Sequence, residues 1–381
     1  MKKIKVLNVF GTRPEATKMA PVVIELAARK DVFDSIICVT AQHRQMLDQV
    51  LEVFDIKPDY DLNIMKDAQS LSDILSRCLN GLGAVIDESK PDIVLVHGDT
   101  STAFAASVAA FYKGVRIGHV EAGLRTYDKF QPFPEEMHRL LVSDLADYHF
   151  APTKLSRENL IKENIPKENI FVTGNTAVDC LKTTVLKDYV FGEPKLRDID
   201  YSGKRVIAMT AHRRENLGDS HDNIFNAVLE IANEYSDVVF VYPVHKNPAV
   251  TEPAQRILGN QPNIILTEPV NMNDLHNLLS LSYMALTDSG GIQEEATGLN
   301  KPVLVLRNVT ERPEGLEAGV LKLAGTTKEG VYTAVKSLLE DRALYDKMAN
   351  SINPFGDGRA AGRIADAVLH AFNLGERPAD Y

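Results

Sequence analysis

The sequence predicts an α/β protein with two doubly wound parallel-sheet domains facing each other across a cleft. Short apolar segments alternate with helically periodic ones almost throughout. The alternation comes in two series, separated by the polar stretch 188–203, DYVFGEPKLRDIDYSG, which carries Gly and Pro and lacks helical periodicity. The length of 381 residues suits two domains that each bury their own core.

In the first series, segments 4–10, 35–40, 92–97, 116–120, 147–150 and 170–172 read as strands, being short, apolar and bounded by turn residues. The second series is 204–210, 237–242, 263–266, 283–287, 302–305 and 320–323, again with helices between. The domains follow as 1–190, a linker at 191–203, and 204–358. A C-terminal segment, 359–381, begins a last helix after the break NPFGDG and is free to pack on either domain. No internal repeat and no low-complexity segment interrupts the pattern.

Charged residues at 25% and hydrophobic residues at 44% are ordinary globular values. A net charge of −10 argues against a general nucleic-acid surface, so an anionic ligand must be met by local cations. Cys38, Cys78 and Cys180 are odd in number, widely spaced and set in apolar contexts, which predicts reduced thiols and a cytoplasmic location. The apolar N-terminus MKKIKVLNVF is cut short by Gly11-Thr12-Arg13-Pro14-Glu15, so no signal peptide is read, and no apolar stretch reaches membrane-spanning length.

Two strands deliver a carboxylate at their ends. PDIVLVHGDT ends at Asp99 and VRIGHVEAGLRT at Glu121, with STAFAASVAAFYKG between them as a crossover helix. Parallel neighbours lie about 4.8 Å apart, so the two carboxylates should converge at one carboxyl-end edge, where open α/β sheets bind ligands. The bland alternative for Asp99 is a helix cap.

The first strand empties into GTRPEATKMAP. Gly11 suits a tight turn, Thr12 a helix cap and Pro14 the first turn, which puts Arg13 and Lys18 near a helix N-terminus where anions are favoured. The matching segment of the second half is YMALTDSGGIQEEATG. There Ser289-Gly290-Gly291 opens a helix whose amides a phosphate could approach, and Glu295, one turn after Gly291, could take ribose hydroxyls. Neither a P-loop nor a dinucleotide fingerprint is present. His212, Arg213 and Arg214 after RVIAMT form a cationic cluster that a phosphate would explain. QPFPEEMHR, with Glu135, and RNVTERPEG, with Arg312, could by themselves be solvated charged loops.

With GTRPEA, VHGDT, HVEAGLRT, PEE, HRREN, DSGG with its following EE, and ERPEG in this order, nearly the whole chain resembles the non-hydrolysing UDP-N-acetylglucosamine 2-epimerases. The resemblance implies two Rossmann-like domains of GT-B type, with the active site in the interdomain cleft. It implies Asp99, Glu121, Glu135 and His212 as the catalytic group. Arg13 and Lys18 would meet the substrate from the first domain, and His212, Ser289, Gly290, Gly291, Glu295 and Arg312 would hold UDP and the adjoining sugar. Leu275 stands where some relatives carry an aromatic residue near uracil. A second, regulatory nucleotide-sugar site would use Gln42, Gln45, Arg213 and His245, with Ala68 where some relatives place an Arg.

The implied reaction interconverts UDP-N-acetylglucosamine and UDP-N-acetylmannosamine by eliminating UDP to 2-acetamidoglucal and adding it back, with no cofactor and no metal. The implied protein is a cytoplasmic homodimer without nucleic-acid or membrane partners. The alternatives are a hydrolysing 2-epimerase, which releases N-acetylmannosamine and UDP, and a GT-B glycosyltransferase, which needs an acceptor pocket.

Overall fold

The computed structural model describes residues 2–42, 44–66 and 69–381; Ala68 lies outside the described residues. The chain divides into two units, Met1–Cys180 with Phe355–Tyr381, and Leu181–Pro354.

Unit 1 runs β1 (Ile4–Phe10), α1 (Arg13–Ala28), β2 (Phe33–Val39), α2 (Arg44–Val53), β3 (Tyr60–Asp61), α3 (Leu71–Ser89), β4 (Ile93–His97) and α4 (Ser101–Tyr112). It continues with β5 (Arg116–Val120), α5 (Glu135–Leu145), β6 (Tyr148–Ala151), α6 (Lys154–Lys162), β7 (Ile170–Val172) and α7 (Thr176–Thr184), a helix that carries the chain across the division. The seven strands form one sheet, ordered β3-β2-β1-β4-β5-β6-β7, and every pairing is parallel. The order reverses between β1 and β4, so the loops leaving those strands lie at a topological switch point. Helices α1 and α2 pack together, as do α3, α4 and α5, and the core beneath is almost wholly Leu, Val, Ile and Ala. Such continuous apolar strands are what a sheet covered on both faces requires.

Unit 2 contains α8 (Pro194–Arg197), β8 (Arg205–Thr210), α9 (Asp219–Glu234), β9 (Val238–Pro243), α10 (Pro248–Leu258), β10 (Ile264–Thr267), α11 (Met272–Leu281), β11 (Met284–Thr287) and α12 (Gly290–Gly298). Then follow β12 (Val303–Val305), α13 (Pro313–Glu317), β13 (Leu321–Leu323), α14 (Lys328–Glu340) and α15 (Arg342–Ala349). Its parallel sheet is ordered β10-β9-β8-β11-β12-β13, with the switch point between β8 and β11.

Two features depart from the sequence reading, and a third settles a placement that the sequence left open. The two-residue β3 is too short to leave an apolar period and was not anticipated. Residues of the expected linker pack as part of unit 2: the amides of Gly192 and Glu193 donate to Asp274 at 2.8 and 2.9 Å, and 194–197 forms α8. The contacts divide the chain at Cys180 and Leu181, ahead of that polar stretch. The last helix, α16 (Ala360–Ala371), belongs to unit 1, where the amides of Ala360 and Ala361 donate to Asp179 and Arg29 pairs with Asp366. Among the described residues no helix is long and apolar enough to cross a membrane, and Cys38, Cys78 and Cys180 are all buried and free.

Candidate active site

In unit 1, β4 and β5 are hydrogen-bonded neighbours with His97 opposite Val120. Asp99 and Glu121 therefore leave adjacent strands at the same edge. Glu121 has φ +63°, a left-handed backbone unusual for a residue with a side chain, costing roughly 1–2 kcal/mol. Its carboxylate is held firmly: Oε2 pairs with Lys18 Nζ and accepts the Asn175 side-chain amide at 2.8 Å. His97 Nε2 lies 3.9 Å from the same oxygen, and burial pushes that imidazole down to about 4, so it is neutral near pH 7. The Glu121 charge is thus answered by Lys18.

Asp99 Oδ2 accepts a hydrogen bond from Arg139 Nε at 2.9 Å, and Nη2 of the same guanidinium lies 2.7 Å from that oxygen. The charge-assisted contact ties the carboxylate to Arg139 through one of its two oxygens. Thr100, not Asp99, caps α4 by accepting the Ala103 amide, so the capping alternative for Asp99 does not hold. Arg139 also reaches Glu136 Oε2 at 3.1 Å, and Glu136 Oε1 accepts the amides of Thr126 and Tyr127. Glu135, the first residue of α5, is half-buried beside this clamp.

The loop after β1 is tied to the loop after β4 by Glu15. Its buried carboxylate accepts the Gly11 and Thr12 amides, the Thr12 hydroxyl and, on the other oxygen, the Thr100 hydroxyl at 2.6 Å. Burial still outweighs these bonds and pushes the Glu15 carboxyl up to about 7. Gly11 is obligatory at this crossing, because an added Cβ would lie 1.9 Å from Thr40 Oγ1. Arg13 is exposed at the start of α1.

Unit 2 has a matching carboxylate. Asp288, fully buried at the end of β11, accepts at Oδ2 the amides of His212 and Arg213, both at 2.8 Å, and the Asn216 side chain at 3.1 Å. His212 Nδ1 lies 3.5 Å from Oδ1, and its ring stacks on His245 with centroids 5.8 Å apart. Desolvation holds the His212 imidazole below its ordinary value, with Asp288 pulling the other way and His245 and Arg213 adding to the depression. Arg213 reaches Glu311 at 3.1 Å. Two members of the cationic cluster read from HRREN face acids: His212 lies beside Asp288 and Arg213 pairs with Glu311.

Ser289 caps α12 without a side-chain cap bond, leaving the first-turn amides without a side-chain acceptor at that cap. A Cβ on Gly290 would lie 2.9 Å from Glu311 Oε1 and 3.6 Å from Arg312 Nη2; one on Gly291 would lie 3.6 Å from Glu295 Oε1. Glu311 and Arg312 thus stand beside Gly290, and Glu295 beside Gly291, at the helix start. Arg312 is anchored by Glu294 at 2.5 Å, and Glu295 Oε2 sits 3.4 Å from His276 Nε2, whose Nδ1 meets the Thr184 hydroxyl at 2.7 Å. Leu275, on α11, is half-buried. Of the residues expected at a second site, Gln42 and Gln45 lie in unit 1, Gln45 in α2, while Arg213 and His245 lie in unit 2, His245 exposed after β9.

Sequence reasoning missed Arg139, Asn175, Glu15, Asp288, Glu294 and Glu311, all of which hold the functional groups in place. Asp288 had the same signal as Asp99, an acid ending an apolar strand before a helix. The partners of Arg139 and Asn175 are 40 and 54 residues away and left no local trace.

The family model described as UDP-N-acetylglucosamine 2-epimerase matches residues 25–369. The UDP-N-acetylglucosamine 2-epimerase of Bacillus subtilis is 54% identical over 99% of this chain and 97% of its own length. Among solved structures, S. aureus MnaA with UDP is 52% identical, with 99% and 100% of the two chains covered and a TM-score of 0.89. The UDP-GlcNAc 2-epimerase of Neisseria meningitidis, bound to UDP-GlcNAc, is 49% identical over 96% of this chain and 100% of that one, with a TM-score of 0.86. With the family match spanning nearly the whole chain and two switch-point loop clusters rich in acids and cations, the chain belongs to the UDP-N-acetylglucosamine 2-epimerase family.

Proposed function

We propose that this chain interconverts UDP-N-acetylglucosamine and UDP-N-acetylmannosamine without consuming water. The observation that carries this reading is the pair Asp99 and Glu121, leaving adjacent strands at one edge with different partners, Arg139 and Lys18. Carbon 2 of the sugar is not next to a carbonyl, so direct deprotonation would give an unstabilised carbanion. Elimination avoids it. One group takes the carbon-2 proton as the carbon 1–oxygen bond breaks and UDP departs with the electron pair, leaving 2-acetamidoglucal. UDP then adds back at carbon 1 while a proton reaches carbon 2 on the opposite face, so atoms and charge balance over the cycle.

Such a cycle needs acid–base groups for carbon 2, which Asp99, Glu121 and Glu135 supply. It also needs stabilisation of the charge growing on the departing diphosphate, for which His212, Arg312, Arg13 and the amides of Ser289, Gly290 and Gly291 are suited. Glu295 is suited to ribose hydroxyls. Relatives solved with UDP and with UDP-GlcNAc support this ligand class.

The test is incubation of the purified protein with UDP-N-acetylglucosamine alone in deuterium oxide, followed by proton NMR. The expected result is UDP-N-acetylmannosamine bearing deuterium at carbon 2. Free N-acetylmannosamine accumulating with UDP would identify the hydrolysing reaction instead, and absence of both products would refute the assignment.

A further inference from the structure

Asp288 presents an anomaly that the proposed cycle does not use. Its carboxylate is fully buried, yet all three of its hydrogen-bond donors fall on Oδ2. Oδ1 is buried and has no hydrogen-bond partner among the described residues. A buried carboxylate oxygen without a donor is costly, and three donors on its twin prevent the group from turning away. His212 Nδ1 lies 3.5 Å from Oδ1, a little beyond ordinary hydrogen-bond length. A ring displacement of a few tenths of an ångström would close that gap.

We propose that Asp288 is the positioning residue of His212. Its Oδ1 accepts the Nδ1 proton, which fixes the imidazole tautomer and leaves Nε2, on the far side of the ring, for the diphosphate. The same carboxylate compensates the imidazolium when His212 carries both protons beside the phosphates. The other charged or titratable groups acting on His212 are His245, stacked on its ring, Arg213, the next residue, and buried His221. None of the three is an acid, which makes Asp288 the group that favours a charged His212. The catalytic consequence rests on the proposed reaction; the tautomer does not.

Two measurements test this. Nitrogen-15 NMR of histidine-labelled protein, with the His212 signals assigned by their loss in His212→Asn, should show Nδ1 protonated in the neutral ring of the parent. Asp288→Asn keeps an oxygen for the three donors but turns an amide N–H₂ towards Nδ1, so the proton should move to Nε2. An Nε2-protonated ring in the parent overturns the proposal without need of any variant, as does an unchanged tautomer in a folded Asp288→Asn protein. In the epimerisation assay Asp288→Asn should lower kcat by about 10²–10⁴-fold, as wrong-tautomer variants of acid–histidine pairs do, with KM within a few-fold. A tautomer that moves as expected in a protein without epimerase activity upholds the pairing and refutes the reaction.

Discussion

Lys18 and Glu121 form an ion pair across 103 residues of sequence, joining α1 to the left-handed residue that ends β5. Both side chains are largely buried, at 17% and 10% exposure. Removing one partner of such a pair strands the other, an outcome worth about 3–5 kcal/mol in fully buried cases. Lys18→Met should therefore lower thermal stability as well as turnover. Glu121→Gln, which keeps shape and can still meet Asn175, should lose turnover by about 10²–10⁴-fold with a smaller change in stability. Equal losses of stability in the two variants, measured by urea unfolding, would contradict this ordering.

The Arg139–Asp99 ion pair predicts coupling. Asp99→Asn should cost about 10²–10⁴-fold in turnover if Asp99 moves a proton. Arg139→Gln should cost less turnover but more stability, because it leaves both Asp99 and buried Glu136 without their cation. The double variant should turn over no more slowly than Asp99→Asn alone, a non-additivity that a double-mutant cycle reads directly.

Glu15 sets a pH dependence of stability. Its carboxyl is raised from an ordinary 4.5 to about 7 in the folded protein. Between those values the folded state holds a proton that the unfolded chain has lost, so stability falls as pH rises through this window. The full effect is about 3 kcal/mol, present below pH 4.5 and lost above pH 7. Unfolding free energies at pH 5 and pH 8 should differ by most of that amount in the parent, and Glu15→Gln should flatten the difference.

Gly290 tests the anion seat. An Ala there would push Glu311 Oε1, the end of a flexible side chain 2.9 Å away, rather than backbone. Folding should change little, while the approach of a phosphate to the α12 amides is obstructed. UDP affinity by calorimetry should fall about tenfold, or about 1.4 kcal/mol.

The family resemblance implies regulation by the substrate itself, which predicts slow conversion of UDP-N-acetylmannosamine alone and acceleration by added UDP-N-acetylglucosamine. Gln45→Ala should raise the concentration needed for acceleration, and Ala68→Arg should lower it. Progress curves unaffected beyond competition would remove the site.

Much of this was legible because parallel strands covered on both faces are written as apolar runs, and because their ends carry the chemistry. PDIVLVHGD and VRIGHVE gave both the adjacency of β4 and β5 and the two acids at their ends. Thr12 and Pro14 opened α1 as capping chemistry requires. What escaped was non-local. Nothing in EEMHR says that Arg139 turns back to Asp99, and nothing near Asn175 says that it serves Glu121; only the assembled sheet brings them together. The polar stretch after residue 188 looked like a connection because its stabilising acid, Asp274, lies more than eighty residues downstream.

The two crossings of the chain, after Cys180 and after Pro354, also impose an order on its birth. All seven strands of the first sheet leave the ribosome before any strand of the second, but α16 emerges last. Until then the Ala360 and Ala361 amides that donate to Asp179, and the Asp366 carboxylate that pairs with Arg29, have not been made. The inserted sheet can therefore mature first, while the sheet begun first is the one finished last, a nesting that rules out strictly N-to-C domain-by-domain completion.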